Sequence, residues 1–465
     1  MTKSNTAPTE LGTESIGKLL KKYAVPGIIA MTASSLYNMV DSIYIGHIPD
    51  IGSLAISGLA VTFPLMNLST ALGTLVGAGA ATLISVLLGQ KNYKIANKVL
   101  ANSFTLNCII GLLFTVVCLM FLDPILGFFG ASENTLVYAR DYMKIILYGN
   151  VITHLYFGLN NIIRSSGNPK MAMGLTLFTV IFNSILDPIL IFGFGMGVKG
   201  AAIATVACQA ISLVYSIYYF TKKDNVLQIT KSVFQVEWRI AKDSLAIGMG
   251  PFLMNSASCI VAMFINQQLF KYGGDLAIGA YGIVNRINFL FVMIVMGFNQ
   301  GMQPIAGYNF GARRYSRVKD VFFRTSMWAT LITGFWFIAS EFFPGLMVSI
   351  FTNDGALKEV AEKGLKVMNP IVLIVGWQMV STNLFQSLGM VKKSIFLSLS
   401  RQLLFLVPLL YLLPIFWKIN GVFLAFPVAD ALACITTLIM IHALVRKLNR
   451  LKDGDEPTIL GSTIS

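Results

Sequence analysis

An all-α integral membrane fold is predicted, with twelve transmembrane helices in two six-helix lobes related by a pseudo-twofold axis along the membrane normal. Three observations predict it. The chain is 55% hydrophobic and only 12% charged, where a soluble domain carries about 25% charge; mean hydropathy is +0.71. Apolar runs of roughly 20 residues, long enough to cross a bilayer as helices, recur from end to end. Finally, the chain repeats. At an offset of 222 residues, positions 54–170 fall on 276–392 without a gap. Gly89–Tyr93 lands on Gly311–Tyr315, Phe129 on Phe351, Asn161 on Asn383 and Gly167 on Gly389. A fixed repeat of this length in an apolar chain points to two like halves with a site between them.

The spans are expected at 16–45, 54–88, 96–122, 139–164, 171–191 and 200–220, then 240–270, 276–309, 318–343, 361–388, 394–417 and 421–445. Residues 1–14 are polar, and the run after them is too long for a signal-peptide core and is followed by no small-residue cleavage site. It is read as the first span. Pro26, Pro188, Pro251 and Pro427 lie inside spans, which neighbouring helices can tolerate. The domain reading is 1–220 as N-lobe, 221–239 as a polar linker, and 240–465 as C-lobe and tail.

Net charge is +14. Roughly three-quarters of the Lys and Arg fall on one side of this topology, which places both termini in the cytoplasm. The basic stretches 91–98 and 313–319 become equivalent inner loops, suited to anionic lipid. No soluble domain remains to bind nucleic acid. Cys108, Cys118, Cys208, Cys259 and Cys434 stand singly in apolar runs and read as packing residues. No nucleophile–base pair or metal cluster points to an enzyme.

Charged groups inside spans are expensive, about 2.5–3.5 kcal/mol on insertion scales. Asp41 lies in the first span within Tyr37–Asn–Met–Val–Asp41, and Asp187 in the fifth within Asn183–Ser–Ile–Leu–Asp187–Pro188. Asn183 and Asp187 share a helix face. Thr205 lies in the sixth. Two carboxylates, an amide and a hydroxyl can carry a proton or hold Na⁺; alternatively each braces a neighbouring helix. The second copy bears on this. With the prolines aligned, Asp41 falls on Asn266, Asp187 on Val407 and Asn183 on Leu403; with Gly200 on Gly421, Thr205 falls on Phe426. The scaffold repeats and the ionisable set does not, so the coupling site is expected in the first half. In the second half Asp430 is a second coupling group or a gate, or else a buried partner to Arg286 or Arg401. Arg286 itself falls inside the eighth span, expected buried, facing the cavity or bonded to a carbonyl or an edge acid.

At these residues the chain resembles the multidrug and toxic compound extrusion (MATE) family, in its MepA-like bacterial branch. The resemblance runs from about Lys18 to Arg446. It rests on Tyr37–Asp41, Gly89–Gln90, Arg164–Asn168, Asn183–Asp187–Pro188 and Gly197–Thr205. It implies a secondary active exporter of cationic or amphipathic drugs, driven by H⁺ or Na⁺ entry through alternating access, with no cofactor. It implies that Asp41, Asn183, Asp187 and Thr205 form the cation or proton site. Tyr37, Asn38 and Asn160 match cavity-lining positions, and Pro26 matches a proposed hinge. The seventh span lacks the glutamate that some branches carry.

Weaker signals have plain readings. Gly195–Gly200 spells G-x-G-x-x-G but sits between two spans, not in a βαβ unit. Gly73, Gly77 and Gly79 suit close helix packing. His47, His154 and His442 form no cluster. Met254, Met263 and Met293 are cavity candidates because methionine is adaptable. The rival reading is a lipid-linked saccharide flippase, which usually has more spans and a basic cavity. The expected setting is a bacterial cytoplasmic (inner) membrane, crossed many times by a chain for which a monomer suffices.

Overall fold

The computed structural model describes residues 10–49, 51–229, 236–352 and 354–456; a few side chains inside them, that of Asn38 included, lie outside the described set. Part of the expected linker, 230–235, is likewise outside it. Among the described residues every regular element is a helix. Among the described residues eight helices are long and apolar enough to cross a bilayer, or nine if Gly355–Met368 and Val372–Ser387, which meet at 58°, form one bent span.

The expected spans that this measure omits have identifiable reasons. Ile16–Gly46 is a continuous helix, but Lys18, Lys21, Lys22 and Asp41 dilute its apolarity. The fourth expected span is divided at Gly149 into Glu133–Tyr148 and Asn150–Ser165. A side chain at Gly149 would strike Val206 at 2.5 Å. Val391–Arg450 is 60 residues long. At 1.5 Å per residue that is roughly 90 Å, about three times the hydrocarbon thickness. It turns back at Lys418, where φ is 50°. Trp238–Gly311 turns in the same way at Gly274, where φ is 63° and the absence of Cβ removes the strain.

Among the described residues two helices leave regular α geometry beside a proline. Pro188 cannot donate to the preceding turn, and the chain widens into a π-helical turn at Ile189–Gly193. Ser400–Leu406 forms a second π-helical stretch just before Pro408. Such turns often accompany functional positions.

The chain clusters into two compact units. One comprises mainly Ile29–Phe252, the other Glu14–Ile28 with Leu253–Thr463. The first helix is thus shared: its start belongs to the second unit and its remainder to the first. The start of the Trp238–Gly311 helix is shared the opposite way. Pro26 and Pro251 lie within two residues of the respective boundaries.

The first unit packs around Leu65, Leu126, Tyr142, Met143, Leu147 and Ala202. The second packs around Leu269, Val284, Trp336, Leu365, Leu410 and Phe423. Large apolar side chains also face outward, among them Phe63, Leu113, Ile435 and Ile439, as lipid-facing helices require. Within the first unit Gly77 meets Gly158 so closely that a Cβ would lie 2.9 Å from its Cα, and Gly79 lies against the Ser244 carbonyl. The glycines of the second helix therefore serve close helix approach.

Candidate functional site

The first unit brings together the polar residues of three helices. Tyr37 and Asp41 are four residues apart on the Ile16–Gly46 helix, and Asn183 and Asp187 four apart on Pro169–Pro188, so each pair shares a face. Thr205 comes from Val198–Thr221. Tyr37 Oη and Thr205 Oγ1 share a hydrogen bond of 3.0 Å. The Asn183 amide satisfies its neighbours when its NH₂ donates to Asp187 Oδ2 at 2.8 Å and its oxygen accepts from the Thr205 N–H at 3.1 Å. The opposite orientation gives one long bond of 3.4 Å to Thr205 Oγ1. Asp187 and Asn183 are buried, and Asp41 is 9% exposed.

The Asp41 and Asp187 carboxyls lie within hydrogen-bonding reach of each other. An ionised carboxylate only accepts. Two of them in contact therefore need a proton between them, or a cation in its place. Asp41 Oδ1 has no hydrogen-bond partner among the described residues, which leaves an acceptor open. Carboxylate, amide and hydroxyl oxygens form the hard donor set that an alkali cation takes, whereas no cluster of three or more His, Cys, Asp or Glu suited to a metal occurs among the described residues.

The sequence reading missed Tyr142. It is 2% exposed, and its phenol feels the charge of both Asp41 and Asp187. Its only signal in sequence is a tyrosine falling in step with Ala139, Met143 and Ile146, the buried face of Glu133–Tyr148.

The other predicted residues are placed differently. Asn160 is buried, and its amide is engaged locally, donating to the Ala172 carbonyl at 3.0 Å and accepting from Arg164 at 3.3 Å. The Asn38 side chain lies outside the described set. Met254, Met263 and Met293 belong to the second unit; Met263 is half exposed, and the other two are partly buried. His154 is buried against Ser69, whose hydroxyl lies 3.2 Å from its Nε2.

Of the two partners weighed for Asp430, the structure selects Arg401, whose Nε donates to Oδ1 at 2.6 Å. Arg286 is exposed rather than buried, as are its neighbours Asn285 and Phe289 on the same helix. Arg401→Met should strand the Asp430 carboxylate and lower stability by about 3 kcal/mol. Adding Asp430→Leu should recover most of the loss. Thermal unfolding in detergent measures both.

Known proteins bear on the chain as a whole. The MatE family pattern matches residues 26–189 and 246–412. The multidrug export protein MepA of Staphylococcus aureus (strain N315) is 30% identical over 431 residues, covering 93% of this chain and 94% of that protein. MepA of Staphylococcus haemolyticus (strain JCSC1435) is 29% identical over 444 residues, covering 93% and 95%. A solved structure described as the outward-facing conformation of a multidrug resistance MATE family transporter of the MOP superfamily superposes with a TM-score of 0.89. It covers 97% of this chain and 100% of its own at 23% identity, so this likeness is one of fold. With both repeated halves matched by the family pattern and nearly full-length similarity to the staphylococcal proteins, this multi-pass membrane protein belongs to the MatE family.

Proposed function

We propose that the chain is a secondary active multidrug exporter, exchanging cationic or amphipathic compounds for H⁺ or Na⁺ by alternating access. The observation that carries this reading is the contact of Asp41 with Asp187 inside the oxygen-rich cluster of Asn183, Thr205 and Tyr37. In the second copy the corresponding positions are Asn266, Val407, Leu403 and Phe426. The names of the staphylococcal relatives support export of drugs. Family membership supports ion coupling, with Asp41 and Asp187 as the ion-carrying groups and Pro26 as a bend.

In this reading drug occupies one state of the protein and the ion the other. A ligand shifts such an equilibrium only through its differential affinity, so drug and ion must bias it in opposite directions. The basic inner loops support a topology with both termini in the cytoplasm, in a bacterial inner membrane spanned twelve times by two lobes, for which a monomer suffices. Asp430, paired with Arg401, and Arg286 remain the candidates for a second coupling group or a gate in the second half.

The test is ethidium efflux from reconstituted vesicles with a proton gradient and a sodium gradient imposed separately. Efflux under one gradient and not the other names the ion. No ethidium movement under either would turn attention to the saccharide-lipid flippase, which no observation on the present site favours.

A further inference from the structure

The two copies share one turn and complete it by different means. Lys91 and Arg313, equivalent at the 222-residue offset, both take left-handed backbone, with φ of 60° and 56°. The next residue closes the same turn in each copy: the Asn92 N–H donates to the Leu87 carbonyl at 2.9 Å, and the Arg314 N–H donates to the Asn309 carbonyl at 2.8 Å. In the first copy Asn92 then caps its own helix, accepting from the Ile95 N–H at 3.3 Å. In the second copy the cap position holds Arg314, whose side chain makes no cap. Guanidinium has no acceptor, so the Tyr315–Phe342 helix starts without one.

The missing acceptor comes from the far end of the chain. Asp453 Oδ1 accepts from the Ser316 N–H at 2.9 Å, and Oδ2 accepts from the Ser316 hydroxyl at 2.5 Å. Around this cap the Gly454 N–H donates to the Arg313 carbonyl at 2.8 Å, and Tyr315 Oη donates to the Asp455 carbonyl at 2.8 Å. Arg313 pairs with Glu456 at 3.3 Å, and Lys319 donates to Asn449 at 2.8 Å. The tail is folded for this contact, because the Lys452 N–H donates to Asp455 Oδ2 at 2.7 Å.

The first copy has a counterpart made from the linker. Asn97, the equivalent of Lys319, accepts from the Gln228 N–H at 2.7 Å and donates to the Val226 carbonyl at 3.1 Å. Asn102 accepts from the Glu237 N–H at 3.0 Å, and Lys98 pairs with Glu237 at 2.5 Å. In both copies the segment leaving the sixth helix returns to the start of the third helix of its own copy. It does so through unrelated side chains, which is what selection on the connection, rather than inheritance of a sequence, would leave.

We infer that Leu451–Glu456 is a clasp that supplies the cap Arg314 cannot, and that it fixes the start of Tyr315–Phe342 to the end of Val407–Arg450 as one rigid piece, closed throughout the transport cycle. Burial would raise the Asp453 carboxyl, but hydrogen bonds from the Ser316 hydroxyl and N–H, a bond from the Tyr315 N–H and the Lys319 charge hold it below its ordinary value. The cap is therefore complete at neutral pH and is lost only as pH falls through that lowered value.

Two measurements on the full-length protein test the clasp. Amide exchange at 314–318 should rise at least tenfold in Asp453→Ala and much less in Asp453→Asn, since asparagine also caps. Unchanged exchange in Asp453→Ala overturns the clasp. The double variant Ser316→Cys with Asp453→Cys, oxidised and confirmed by peptide mass, should keep ethidium efflux within twofold of its reduced form. Efflux lost on oxidation and regained on reduction would show that the clasp must open. The efflux arm rests on the proposed exporter activity; wild type in the same assay separates failure of that reading from failure of the clasp, and the exchange arm is independent of it.

Discussion

Asp187→Asn is expected to reduce gradient-driven efflux to the level of protein-free vesicles while leaving the protein folded. The substitution keeps the shape and removes the protonatable group. It also removes a carboxylate that is fully buried, and replacing a buried charge by a neutral isostere need not destabilise. Thermal stability in detergent should therefore stay near wild type or rise. Asp41→Asn should behave alike, because in the proposed mechanism the two carboxyls act on one proton or one cation. The double variant should be no worse than either single one, the non-additivity expected of residues in direct contact. Full efflux by either single variant would remove that residue from the coupling mechanism. The same vesicles, tested under the gradient that drives the wild type, give the readout.

Gly248→Ala is expected to cause the largest loss of stability. A methyl group there would sit 1.7 Å from the Leu75 carbonyl oxygen, a backbone atom with no rotamer in which to retreat. Overpacking typically costs about 1–3 kcal/mol, and contact with backbone on a helix–helix seam belongs at or beyond the upper end. Gly79→Ala should follow it, since its Cβ would lie 1.8 Å from the Ser244 carbonyl. Gly174→Ala is the control. Gly174 also lies within a helix, but nothing comes within 4 Å of its Cβ position, and the change should stabilise by about 0.5–1 kcal/mol through helix propensity. Detergent thermal melts should rank the three as Gly174→Ala above wild type, then Gly79→Ala and Gly248→Ala well below it. Equal melting temperatures for Gly248→Ala and wild type would contradict the packing.

Much of this was legible in sequence, for reasons of period and register. A bilayer demands long apolar helices, so the chain displays them. The repeat offset is carried by residues such as Gly89, the last residue of its helix, and Gly167, whose φ of 107° favours glycine. Asp41, Asn183, Asp187 and Thr205 stood out because polar groups in apolar runs are rare, and the structure places all four in one unit. What sequence did not show depends on contacts between distant segments. Tyr142 sits near both carboxyls only because Glu133–Tyr148 packs with its buried face inward. Asp430 had two arginines to choose between, and the π-helical stretch that carries Arg401 is invisible to a period of 3.6. Arg286 was expected buried because it falls inside an apolar run, yet a run of apolar residues does not say which of its positions are covered; this one is exposed. The Asp453 cap joins residues 137 positions apart, and no local pattern announces it.

The exchange of helix starts between the two units has a consequence for the order in which the protein is made. The second unit takes Glu14–Ile28 from the beginning of the chain, and the first unit takes residues up to Phe252 from beyond its middle. A ribosome emits the chain in sequence, and domains usually fold as they emerge. Here the first unit cannot be finished when its sixth helix is out; it waits for the opening turns of the seventh. Glu14–Ile28, among the first residues synthesised, must wait for partners such as Gly297 and Gly301, against which Ile28 and Ala24 lie in backbone contact. Neither bundle is a self-sufficient translation product. Two half-length chains cut at the linker would each emerge holding a helix segment that belongs to the other.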